Sequence, residues 1–105
     1  MSTDALGWDE CVAVLRGLEG REVAVRIALR HRTEELVAVF HGRLGALTQT
    51  QKQPSLFWPV GAAHEHPEQP GIYLRADAFV GAERRAGDVL VIEQPELLLN
   101  LRPLD

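Results

Sequence analysis

Trp8, Cys11, Val12, Leu15 and Leu18 recur at intervals of three and four residues, a spacing that lines one side of a helix with apolar side chains. It predicts one N-terminal helix over about residues 9–18. Glu10 near its start and Arg16 near its end suit the helix dipole. Asp4 or Asp9 is expected to cap it, Gly17 weakens its end and Gly20 can stop it. Met1 to Gly7 reads as a frayed lead-in. From Glu22 to Arg30 the period changes to two. Val23, Val25, Ile27 and Leu29 alternate with Glu22, Ala24, Arg26, Ala28 and Arg30. This is the pattern of a strand with one core face and one wet face.

After a turn at His31 to Glu34, Leu36 to Leu47 reads as a second, long or bent strand. Gly42 and Gly45 interrupt it, and glycine inside a strand marks a bulge, a bend or a close approach of another backbone. The polar stretches 48–55 and 62–71 read as loops and as the least ordered parts of the chain. Between them Leu56-Phe57-Trp58 is a short strand stopped by Pro59. Ile72 to Leu74 opens another strand, which Ala78 to Val80 continues or follows. Glu83 to Asp88 reads as a charged turn, Val89 to Ile92 as a strand and Glu93 to Glu96 as a turn. Leu97, Leu99 and Leu101 then alternate to Pro103.

The sum is a mainly β chain of one domain over 1–105, with one N-terminal α-helix and about five or six short strands. Strands in series without intervening helices exclude the α/β crossover classes. A small, partly closed antiparallel barrel is the expected architecture, since closure removes exposed strand edges. The helix, the bent strand with its central glycine and the short last strand resemble the plan of Sm-like or SH3-like small barrels over Leu15 to Leu101. The acidic-Asn loop pattern of the Sm family and its second glycine-rich signature do not occur, so the resemblance carries no site residues across.

Composition narrows the function classes. The formal charge is -4 and Lys52 is the only lysine, which argues against a dedicated nucleic-acid binder. No apolar run approaches the length of a membrane span, and no signal-like run opens the chain, so a cytoplasmic location is expected. Cys11 is the single cysteine. On the apolar side of the helix it is expected to be buried and unreactive.

The polar candidates are weak as chemistry. His64-Glu65-His66 offers two histidines at i and i+2, but zinc needs three or four ligands. His41 or Glu68 as a third lacks a recognisable spacing, so no bound metal and no cofactor are expected. His41 is a candidate general base because histidine is the side chain suited to proton transfer near neutral pH, yet no serine elbow or acid partner accompanies it. Arg75 and Asp77 share a strand face by alternation and read as a surface ion pair. Arg84 and Arg85, with Arg26 and Arg30, are the basic features. Glu22, Glu83 and Asp88 dilute them into an ordinary mixed surface. Trp58 is either an exposed anchor or a core residue, because alternation fails over so short a run.

No motif assigns a biochemical function. The leading expectation is a non-enzymatic protein-interaction or assembly module, because the second strand is apolar on both faces. Val37 and Val39 point opposite to Leu36, Ala38 and Phe40 on simple alternation, and a sheet with one wet face does not look like that. The last strand raises the same demand at Leu97-Leu98-Leu99. One short helix covers one patch, so a homodimer is expected, with Val37, Val39, Trp58 and Leu98 as candidate interface residues. The competing account is a barrel plugged by the helix, with these strands side by side beneath it. Two alternatives remain. One is a nucleic-acid-binding barrel, which needs Arg26, Arg30, Arg84 and Arg85 to converge beside Trp58 or Tyr73. The other is a small hydrolase or isomerase built on His41 and a carboxylate in one pocket.

Overall fold

A computed structural model describes residues 4–49, 55–61 and 71–104. The elements run β1 (Asp4–Leu6), α1 (Trp8–Gly17), β2 (Glu22–Leu29), β3 (Arg32–Arg43), β4 (Thr48–Gln49), β5 (Ser55–Pro59), β6 (Gly71–Arg75), β7 (Gly81–Arg85), β8 (Val89–Glu93) and β9 (Leu97–Pro103). The chain is thus mainly β with one short helix. All strand pairs are antiparallel. One sheet has the order β1-β7-β8-β9-β2-β3 and a second has the order β4-β5-β6. An isolated bridge between Leu44 and Val60 joins them.

Among the described residues the sheet is not closed into a barrel: β1 and β3 stand at its two edges. The expected partial closure therefore gives way to an open six-stranded sheet with the helix and the small sheet packed against it, and the strand order does not establish an Sm-like or SH3-like plan. The core lies between them. Val23, Val25, Leu90, Ile92, Leu99 and Leu101 from the large sheet meet Cys11, Leu15 and Leu18 from the helix. Leu44, Trp58, Val60, Ile72 and Leu74 close it from the other side. Period-two alternation places the large-sheet residues on one face, and register keeps them there, with Val25 opposite Leu101 and Ile27 opposite Leu99.

Several local readings change. The lead-in is not frayed, because Asp4–Leu6 pairs with β7. The helix start is capped by Glu10, not by Asp4 or Asp9: the Gly7 N–H donates to the Glu10 carboxylate at 3.1 Å. Glu83 to Arg85 belongs to a strand, and only the residues after it turn. Thr48–Gln49 pairs with β5, and Ser55 and Gly71 also stand in strands. The remainder of the expected loops, 50–54 and 62–70, lies outside the described residues.

Glu19 fastens the end of the helix to the second sheet. Its Oε2 accepts the Trp58 indole N–H at 2.9 Å and the Leu47 backbone N–H at 3.0 Å. Just beyond, the Gly20 N–H donates to the Leu44 carbonyl at 2.7 Å, and the Leu44 N–H donates to the Arg21 carbonyl at 2.9 Å. A single acid thus orients the largest core side chain and holds the helix–strand turn against the β3–β5 junction.

Candidate functional site

The two faces of the large sheet differ in what covers them. The helix and the second sheet both pack on the inner face. The outer face carries Ala24, Arg26 and Ala28 of β2, opposite Arg102, Asn100 and Leu98 of β9. On β3 it carries His41, Val39 and Leu36, opposite the same three β2 residues. Part of this face is shielded, since Ala28 and, beside Asn100, Val91 of β8 are buried, whereas the side chains along β3 are open.

The apolar part of this face gathers along β3. Leu36 is 45% exposed, Val37 57% and Val39 65%. Their exposure has two causes. β3 is an edge strand, so one flank is open. The ladder also shifts register between Ile27 and Ala28, where Ala38 and Leu36 become the partners and Val37 is left between them. Such a bulge turns an extra side chain outward and bends the strand. The helix does not lie over β3; it packs beside β1 and β7. The competing account from sequence, with the helix above these strands, does not describe the molecule.

The other candidate interface residues divide. Leu98 sits on the outer face between Ala28 and Glu93 and is half-buried. Trp58 is wholly buried and its indole N–H is satisfied by Glu19. It is a core residue, so the expectation of a surface anchor is corrected. Tyr73 is 58% exposed, and its ring stacks on Phe57 with centroids 4.3 Å apart.

The basic residues do not meet in one patch. Arg26 is on the outer face of β2 and Arg30 pairs with Glu93 at 3.3 Å. Arg84 is exposed on β7, and Arg85 pairs with Glu83 on its own strand. Arg75 and Asp77 form the surface pair read from alternation, at 2.7 Å and 3.0 Å. The guanidinium bond holds the Asp77 carboxyl below its ordinary range. His41 is exposed, and among the described residues it forms no ion pair with a carboxylate. His64 and His66 lie outside the described residues. Among the described residues no cluster of three or more metal-ligating side chains occurs, and no helix is long and apolar enough to cross a membrane.

Cys11 is fully enclosed, and desolvation pushes its thiol from the ordinary 9.0 to about 12. The native protein should therefore resist a thiol reagent at mildly alkaline pH, while the unfolded chain reacts at once. The pH dependence follows by linkage. The unfolded thiol ionises above about 9 while the folded one stays protonated, so this contribution is complete below about 9 and is lost as pH rises toward about 12. A native reaction rate within about tenfold of the unfolded rate would contradict the burial.

No protein-family model matches the chain, and no curated protein or solved structure matches it significantly.

Proposed function

We propose that the protein is a non-enzymatic interaction module that pairs with a second copy of itself through the apolar ridge of β3. The observation that carries this reading is the exposure of Leu36, Val37 and Val39 side by side on one uncovered strand. Three neighbouring large apolar side chains in water are costly, and a twofold axis is the commonest way to bury them.

The charges along β3 support a second copy as the occupant. Glu34 lies toward one end and Arg43 at the other, and among the described residues neither forms an ion pair. A twofold axis near Val39 sets the acidic end of one copy over the basic end of its partner. Contact through side chains suits the strand better than extension of the sheet. The bulge at Val37 and the charges of Arg32, Glu34 and Glu35 are the features that hinder edge-to-edge pairing.

Sedimentation equilibrium tests the reading. The wild type should show twice the 11.6 kDa chain mass at high concentration. Val39→Glu should give a folded species of single mass, because the residue is 65% exposed and its replacement disturbs no core contact. A wild type that stays at 11.6 kDa at all concentrations would sink the proposal.

A further inference from the structure

We infer that the outer sheet face carries an oxyanion site in which Arg26 and Arg102 take the phosphoryl group of a small phosphate ester. The two arginines come from strands at opposite ends of the sequence. Arg26 stands opposite Asn100, and Arg102 stands opposite Ala24, so the pair is diagonal across the β2–β9 ladder. Diagonal neighbours on one face are about 7 Å apart at Cβ, within easy reach of two long side chains. Ala24 is the small residue between Arg102 and His41 in its row. Ala24, Val25, Arg26, Val39, Asn100 and Arg102 line a cavity of about 250 Å³ here.

The charge of this cavity sets it apart. Its lining residues include two arginines and no acid. The larger cavity of about 360 Å³ beside α1 also holds two arginines, Arg21 and Arg84, but joins them with Asp88. A third is lined by Val80, Glu83 and Glu93 among others. Four other arginines are neutralised by Glu93, Glu35, Asp77 and Glu83. Arg26 and Arg102 make no ion pair among the described residues. Two unneutralised guanidinium groups side by side repel each other, and an anion between them removes that repulsion.

The ligand class follows from the donors. Each guanidinium is a planar fork of N–H groups that matches phosphate and carboxylate oxygens. A carboxylate neutralises one of the two charges, whereas a phosphate-monoester dianion neutralises both. The Asn100 carboxamide adds a neutral donor. The volume suits a small molecule and not a polymer. Glu22 at one border and Glu83 and Glu93 further across the same face oppose a long polyanion.

The test is a titration of the isotope-labelled protein with inorganic phosphate at constant ionic strength, followed by amide shifts. Saturable shifts centred on Ala24, Arg26, Asn100 and Arg102 are expected. Arg26→Gln and Arg102→Gln should each weaken binding by about tenfold, and Arg84→Gln should leave it unchanged. Vesicles containing phosphatidic acid separate a lipid headgroup from a soluble ester. Binding to them that is lost in both glutamine variants assigns the phosphoryl group to a lipid, and phosphate binding without vesicle binding assigns it to a soluble ester. Sedimentation of the same variants reads self-association separately. Shifts that do not saturate, or that saturate equally in both glutamine variants, overturn the site.

Discussion

Replacing Trp58 with alanine should abolish cooperative folding or lower the melting temperature more than any other single change to the core. Trp58 is the largest of the fully enclosed side chains. It lies where β5 meets the inner face of the large sheet and the helix, among Leu15, Leu44, Val60 and Ile72. Removing a buried tryptophan costs about 3–5 kcal/mol in transfer free energy and cavity formation. A domain of this size has about 5–15 kcal/mol in all. The substitution also withdraws the indole N–H, so that among the described residues Glu19 Oε2 keeps only the Leu47 N–H. A part-buried carboxylate that loses a donor adds to the cost. Trp58→Phe separates the two effects. It keeps most of the apolar volume and loses the hydrogen bond, for about 1–2 kcal/mol. Calorimetry gives both values. A Trp58→Ala protein that melts cooperatively within a few degrees of wild type would show that the ring is not central to the core.

That role was invisible in the sequence, and the reason is physical. Leu56, Phe57 and Trp58 are consecutive and apolar, so period two cannot tell the inward residues from the outward ones. What distinguishes Trp58 is Glu19, an acid 39 residues earlier. No local pattern connects them. Where the signal is local and long, the reading succeeds. The alternation of β2 places Val23 and Val25 in the core, though past the register shift Ala28 is buried as well, and the three-four spacing from Trp8 to Leu18 places the helix. Where the signal is short or the partner is remote, it fails. Asp4–Leu6 has only three residues, and its strand exists because β7 lies beside it. Glu83 to Arg85 looks like a turn because charges dominate, yet a strand whose outer face is wet tolerates them.

The candidate sites divide the same way. The excess of apolar residues on β3 is legible as a run from Leu36 to Phe40, and it points to the ridge that the structure leaves uncovered. The arginine cavity is not legible. Arg26 and Arg102 each look like an ordinary polar residue on an alternating strand. Only the pairing of β2 with β9 brings the second strand of the chain beside the last one and makes the two arginines neighbours.

Gly42, the glycine of β3, should resist replacement, and Gly42→Ala should lower the melting temperature by roughly 5–15 °C. The sequence marks Gly42 and Gly45 as a bend or a close approach, and the structure supplies the approach. A Cβ at Gly42 would lie 2.8 Å from the Gly61 Cα and 2.9 Å from the Gly61 N. Both are backbone atoms, so no side chain can swing aside to make room. The crowding arises where β3 runs into the junction of the two sheets. There the Gly61 N–H donates to the Arg43 carbonyl at 2.9 Å, and the Gly45 N–H donates to the Pro59 carbonyl at 2.7 Å. Making room for a methyl group means parting these bonds and loosening the Leu44–Val60 bridge that joins the sheets. Overpacking of this kind costs about 1–3 kcal/mol. The entropy gained on replacing glycine offsets about 0.4–1 kcal/mol of it. Gly17→Ala is the matched control. Gly17 is the last residue of the helix, and a Cβ there meets nothing within 4 Å, so its replacement should be neutral or raise the melting temperature slightly. Thermal denaturation of the two variants side by side decides the matter, and a Gly42→Ala protein as stable as the Gly17→Ala protein would mean that the sheet junction has room that its backbone geometry does not show.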